Sequence, residues 1–181
     1  HVNTADLETL KLLKEAGCMW VQMGVESGNE KIMAAMKKGV NRKRVLRAAE
    51  LCKEAGLPYQ ANFIIGHPNE TFWTVLETIR LAVKLNAVES PISVMIPYPG
   101  TEIWDMAINN EGGYKNFTYD WATFGKQSGR AVELNGLPNW LLHTMALCGY
   151  VALYVFNFRF RELFKVAWSE RRLVVAIFGR I

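Results

Sequence analysis

The chain is 181 residues long, half of them apolar and about a fifth charged, a balance that excludes a disordered chain and fits one globular domain with an appendage. Its formal net charge of +4 lies wholly in residues 151–181, where Arg159, Arg161, Lys165, Arg171, Arg172 and Arg180 stand against Glu162 and Glu170; residues 1–150 balance to zero, so no broad basic face invites nucleic acid. Three widely spaced cysteines, Cys18, Cys52 and Cys148, argue against a disulfide framework and for a reducing, cytoplasmic setting.

Leu7, Leu10, Leu13 and Ala16 recur at helical spacing, with Thr4 as a candidate N-cap and Gly17 at the end. Cys18–Met23 is short and apolar and predicts a strand. Asn29 can cap a helix over Glu30–Lys38, and Asn41 a second one with Val45, Leu46, Ala48, Ala49 and Cys52 on one face and Gly56 past its end. Tyr59–Ile65 predicts a second strand. Thr71 can cap the helix carrying Phe72, Val75, Leu76, Ile79, Ala82 and Val83. Ile92–Ile96 predicts a third strand, followed by a helix with Ile103, Trp104, Ala107 and Ile108. Strand and helix alternate three times, so residues 1–110 are expected to be α/β with parallel strands, covered on both faces because they read as apolar throughout.

Residues 111–136 are rich in aromatics and broken by Gly112, Gly113 and Gly125, and predict an irregular connection packed on the domain. Residues 137–181 form an apolar, then basic, helical extension. Trp140–Phe156 is nearly continuous apolar sequence, borderline against the ~20 residues of a membrane span. His143, Thr144, Gly149 and Asn157 favour a buried or docking helix over spanning or interfacial insertion, and the basic tail allows peripheral membrane contact. The chain begins without Met and on helix-like residues, with no secretory signal, and the expectation is a piece of a longer protein.

Three segments follow the three strands: Gly24-Val25-Glu26-Ser27-Gly28-Asn29, Phe63-Ile64-Ile65-Gly66-His67-Pro68-Asn69-Glu70-Thr71, and Pro97-Tyr98-Pro99-Gly100-Thr101. Loops at the C-terminal ends of parallel strands are where barrels place their chemistry. Glu26 can accept hydrogen bonds from vicinal hydroxyls, as on a ribose, or cap the next helix. Gly66 lets backbone come near a planar ligand. His67 stands without a second His or carboxylate at ligand spacing, and Tyr98 can face a ligand or simply stiffen its turn. No residue is assigned as catalytic or as a metal ligand.

Singly these signals have structural explanations. In this order, from about Val2 to Ala107, they resemble the C-terminal half of a radical S-adenosylmethionine (SAM) enzyme core, and most closely the group that carries a cobalamin-binding domain. The resemblance rests on the helix Asp6–Gly17, the GVESGN segment with Met36-Lys37-Lys38-Gly39, FIIGHPNET, and PYPGTEIW. It implies a partial (βα) barrel of which this chain holds about the last three units. Glu26 and Ser27 would lie near the SAM ribose and methionine moiety, and the Ile64–Gly66 backbone, Ile65 and Gly66 included, near the adenine. His67 and Tyr98 become substrate-side candidates.

The family's Leu-Pro-Gly is here His67-Pro68-Asn69. Its C-x-x-x-C-x-x-C run, which ligates three irons of a [4Fe–4S] cluster, is absent from these 181 residues. The resemblance places it upstream, in the N-terminal half, the chain's principal expected partner. The intact enzyme is thus expected to cleave SAM to a 5′-deoxyadenosyl radical, with cobalamin as a further cofactor if the subgroup holds, and to carry out methyl transfer or rearrangement on an unknown small-molecule or lipid-like substrate. This chain alone is expected to be inactive. The alternatives are a cluster-free barrel enzyme and a non-catalytic half barrel that docks on a partner or membrane.

Overall fold

The computed structural model describes residues 1–125 and 130–169. Its helices are α1 (Leu7–Glu15), α2 (Glu30–Ala35), α3 (Arg42–Ala55), α4 (Phe72–Leu85), α5 (Glu102–Ile108), α6 (Asn139–Phe156) and α7 (Phe160–Ser169). The strands are β1 (Val21–Glu26), β2 (Tyr59–Ile65), β3 (Ile92–Val94), β4 (Tyr114–Lys115) and β5 (Glu133–Leu134). Side-chain caps start α2, α3, α4 and α5: Asn29, Asn41, Thr71 and Thr101 each accept a backbone N–H of the first turn, as their position in sequence suggests. The exception is α1. Asp6, not Thr4, accepts the Thr9 N–H at 2.9 Å, while the Thr4 hydroxyl turns back to the His1 carbonyl.

β1, β2 and β3 form a parallel sheet in that order, with Val21 opposite Tyr59 and Phe63 opposite Ile92. β1 begins three residues later than its apolar run suggests, where the Val21 N–H reaches the Pro58 carbonyl; Met19 and Trp20 before it are exposed. An apolar run does not say where pairing starts. α2 also stops short of Lys38, at Ala35, and β3 ends at Val94.

The expectation of strands buried on both faces is corrected. Burial alternates along β1 and β2. Met23, Val25, Tyr59, Ala61, Phe63, Ile65 and Val94 face the helices and are buried. Gln22, Glu26, Gln60, Asn62 and Ser93 sit at the intervening positions, and Gln22 Nε2 donates to Gln60 Oε1 at 3.0 Å across the sheet. Among the described residues the helices thus cover one face with an apolar layer, and the other carries Gln22, Glu26, Gln60, Asn62 and Ser93 together with Gly24 and Ile64.

The apolar layer has two parts. Leu10 of α1 and Val45, Ala48 and Cys52 of α3 pack on β1 and β2. Val75 of α4, Ala107 of α5, Tyr114, Leu134, Leu142 and Met145 pack around Ile65 and Val94. Residues 111–136 are less irregular than expected: β4 and β5 pair antiparallel and bury Tyr114, while Phe117, Tyr119 and Phe124 gather on Trp104, the Phe117 ring 4.9 Å away edge-on.

By length and composition α6 is apolar enough to cross a membrane. Here it lies along β3 and α4. A Cβ on Gly149 would come within 2.7 Å of Ile92 and 2.9 Å of Ile79, so the helix backbone touches the layer directly. Its end is latched: Asn157 Nδ2 donates to the Val83 carbonyl at 3.1 Å, and Arg159 to the Ala87 and Val88 carbonyls at 2.7 and 2.8 Å. These bonds satisfy carbonyls at and just beyond the end of α4 that would otherwise lack partners. The basic residues Arg171, Arg172 and Arg180 lie outside the described residues.

Candidate functional site

A cavity of about 680 Å³ opens on this second face of the sheet, at the C-terminal ends of β1–β3. Gly24, Glu26, Asn62, Ile64, Ser93 and Tyr98 are among the residues that line it. Its size lies in the range of small-molecule sites.

Glu26 enters the cavity through a bulge. The register slips between Gly24 and Glu26, and Glu26 takes a left-handed φ of 70°. Lys38, from the turn after α2, holds its carboxylate: Nζ lies 2.5 Å from Glu26 Oε1 and 3.2 Å from the Gly24 carbonyl. The pair is half-buried, 18% exposed at Glu26 and 31% at Lys38, so the carboxylate keeps acceptor capacity toward the cavity. Across the register from Gly24 stands Asn62, whose Oδ1 is buried and has no hydrogen-bond partner. A buried orphan acceptor is rare in a native fold and needs an explanation.

Ser27 takes a different place. It is buried, its hydroxyl 3.2 Å from that of Thr78 and accepting the Asn29 N–H at 3.1 Å, so it ties the β1 loop to α4. Gly28 completes the tie with an N–H to Thr78 Oγ1 of 2.9 Å. A Cβ there would come within 2.4 Å of the Glu77 carbonyl oxygen.

The β2 loop is organised by Glu70. Its Oε2 accepts the Gly66 N–H at 2.5 Å and the His67 N–H at 3.0 Å, while the Tyr114 hydroxyl donates to the Gly66 carbonyl at 2.8 Å. Gly66 needs a φ of 91° to make this turn. Both its backbone polar groups are therefore occupied from within, and the Ile65 carbonyl accepts the Met95 N–H at 2.7 Å. The Ile65 side chain faces the helices, whereas Ile64 faces the cavity.

His67 is a loop residue, yet it is only 3% exposed, with both ring nitrogens unpartnered. Burial depresses its pKa to about 4, so the ring is neutral. Burial pushes Glu70 up to about 7, against the lowering effect of its two amide donors. Burial, and then the Glu70 charge, push the Tyr114 phenol upward.

Of the residues singled out from sequence, Glu26 and Tyr98 meet in the cavity wall. Ser27, Ile65, Gly66 and His67 lie behind it, as parts of the loops that shape the wall. Lys38, Asn62, Glu70 and Tyr114 carried no assignment. Lys38 stood inside a quoted motif, and Gln60 and Asn62 flanking Ala61 were a legible period-2 signal. Among the described residues no three His, Cys, Asp or Glu converge as a metal site, and Cys52 is buried while Cys148 is exposed.

Residues 2–82 match the family model described as Radical SAM superfamily. An uncharacterized methyltransferase of Pyrococcus horikoshii is 38% identical over 110 residues, 61% of this chain and 24% of that protein. The bacteriochlorophyllide d C-8(2)-methyltransferase of Chlorobaculum tepidum is 36% identical over 102 residues, 55% of this chain and 22% of that protein. The chain thus spans about a quarter of the length of the curated relatives it matches. Among solved structures, the radical S-adenosylmethionine methyltransferase TsrM from Kitasatospora setae, with cobalamin and a [4Fe-4S] cluster bound, aligns with a TM-score of 0.54 and 22% identity over 80% of this chain and 29% of that one. At that identity the likeness is one of fold.

Proposed function

We propose, from the match of residues 2–82 to the radical SAM superfamily model, that this chain is the C-terminal half of a SAM-cleaving partial barrel and contributes the ribose and adenine side of the cofactor site. The observation that carries the proposal is that Glu26 and Asn62 line one cavity at the strand ends, with the Asn62 Oδ1 just beneath its surface and without a hydrogen-bond partner. A nucleoside's vicinal hydroxyls are donors, and these are two acceptors without enough donors of their own. SAM therefore fits the residues present. Glu26, positioned by Lys38, would accept from the ribose. Asn62 would gain its missing donor. Ile64 and Met95 would offer apolar surface to the base, and Tyr98 would stand on the substrate side.

A [4Fe–4S] cluster does not fit this chain: the three cysteines are scattered and the C-x-x-x-C-x-x-C run is not among its residues. Its ligands belong to the N-terminal half in this proposal. When bound beside such a cluster, SAM supplies the family's hydrogen-abstracting chemistry. The chain's own contribution is to bind and orient. The Ser27–Thr78 tie and the Glu70 clamp fix the two loops that stand behind the cavity wall, which pre-organises the site before the ligand arrives.

The names of the relatives support methyl transfer as the overall reaction, and the TsrM title supports a cobalamin-assisted version. The test is anaerobic reconstitution of the full-length protein with iron and sulfide, followed by dithionite and SAM. The expected product is 5′-deoxyadenosine or, for a methyl transferase that spares the adenosyl group, S-adenosylhomocysteine. A cluster-loaded protein that neither binds nor consumes SAM refutes the proposal.

A further inference from the structure

The turn between α6 and α7 displays aromatic rings that the fold does not use. Phe156, Phe158, Phe160 and Phe164 are 69, 82, 56 and 71% exposed. Phe160 and Phe164 are one helical turn apart and share a face of α7. Phe158 is the more telling residue. It holds a left-handed φ of 58°, a conformation that Gly or Asn adopts at less cost, and its ring then points to solvent. It meets the exposed Phe160 ring edge-on at 6.3 Å, and neither packing on the core nor backbone geometry accounts for a phenylalanine there.

The charges beside these rings have one sign in excess. Arg161 and Lys165 are exposed on α7 against Glu162. The chain continues with Arg171, Arg172 and Arg180 against Glu170, so the formal charge of residues 160–181 is five minus two, or +3. Arg159 is excluded from any partner contact, because its guanidinium is spent on the Ala87 and Val88 carbonyls.

We infer that the α6–α7 turn and α7 form a peripheral docking surface for an anionic lipid bilayer, with the phenylalanines inserted at the headgroup boundary and Arg161 and Lys165 on lipid phosphates. An amphipathic helix with aromatics on one face and cations on the other is the pattern that lies in such an interface, and the excess positive charge complements anionic headgroups. A second copy of the chain fits less well, since a two-fold contact through this patch would bring Arg161 and Lys165 toward their own counterparts. Spanning by α6 conflicts with its docking on β3 and α4, where Gly149 meets Ile92 and Ile79. This inference does not depend on the proposed SAM site.

The test is co-sedimentation of the full-length protein with vesicles of phosphatidylcholine alone and of phosphatidylcholine with about a third phosphatidylglycerol, at about 0.1 M salt, where screening acts over ~10 Å. Binding is expected to the anionic vesicles and at least tenfold weaker to the neutral ones. F160E/F164E and R161E/K165E should each lower partitioning at least tenfold while leaving the melting temperature unchanged, and carbonate should release the bound protein. No binding to anionic vesicles, unchanged binding by F160E/F164E, or retention after carbonate would overturn the inference. So would a dimer in gel filtration that F160E/F164E dissolves.

Discussion

Glu70 Oε2 lies 2.5 Å from the Gly66 amide nitrogen, and that bond holds the loop after β2 in its left-handed turn. The carboxylate achieves this at 3% exposure, with Oε1 unpartnered. The β2 loop is therefore clamped by a group that resists ionisation.

This clamp has a pH signature. The Glu70 pKa is raised by burial to about 7 in the folded state. Its contribution to stability is therefore fully present below the unfolded carboxyl value and is lost as pH rises toward 7. His67 acts in the opposite sense: its pKa falls to about 4, so its contribution is present above the unfolded histidine value and lost as pH falls toward 4. The two slopes offset each other over much of that range. Glu70→Gln keeps an acceptor for both amides and removes one slope. Relative to wild type it should gain stability on the order of 3 kcal/mol by pH 8, with the gain shrinking toward pH 5. Parallel denaturation curves of the full-length protein from pH 5 to 8 measure this, and a pH-independent difference would contradict it.

Gly28 marks the closest approach of the β1 loop to α4. An added Cβ meets backbone rather than the movable end of a side chain, at 2.4 Å from the Glu77 oxygen and 2.6 Å from the Thr78 Cα. Gly28→Ala should therefore destabilise by at least about 2 kcal/mol, the cost of forced overpacking. At Gly24 the first neighbours are Glu26 Oε1 and Lys38 Nζ, both at 2.6 Å. Gly24→Ala should leave the melting temperature nearly unchanged and weaken SAM binding. Thermal melts and SAM titrations on both variants separate the two roles.

Arg159 closes the packing of α6 on the sheet. Arg159→Ala removes two bonds to carbonyls and a guanidinium set 5.0 Å above the Tyr154 ring. The expected loss is about 1–2 kcal/mol, reduced from the fully buried case because the group is partly exposed. Hydrogen exchange should accelerate first in the last turns of α6. Uniform protection along α6 in the variant would mean that the latch contributes nothing.

What the sequence revealed was mostly local. Asn29, Asn41, Thr71 and Thr101 signal their helices because capping acts over two or three residues. β2 was legible because Pro58 and Gly66 bracket it. Cys18–Trp20 and Val21–Met23 look alike as an apolar run, and only pairing with β2 distinguishes them. The polar face of the sheet was obscured because Gly24, Ile64 and Met95 interrupt the alternation of Gln22, Glu26, Gln60, Asn62 and Ser93. Glu26 was recognisable at its strand end, but Lys38 reaches it from 12 residues away and Tyr114 reaches Gly66 from 48. Contacts at such separations exist only once the chain is folded.

If Glu26 receives the SAM ribose, the SAM affinity of the full-length protein by calorimetry must change between wild type and Glu26→Ala and Asn62→Ala. Loss of a charge-assisted bond predicts a Kd about 10–100-fold higher for Glu26→Ala. Asn62→Ala should weaken SAM binding while leaving the free protein as stable or more so, because it removes an orphan acceptor. Unchanged SAM affinity in a folded Glu26→Ala protein would contradict the account.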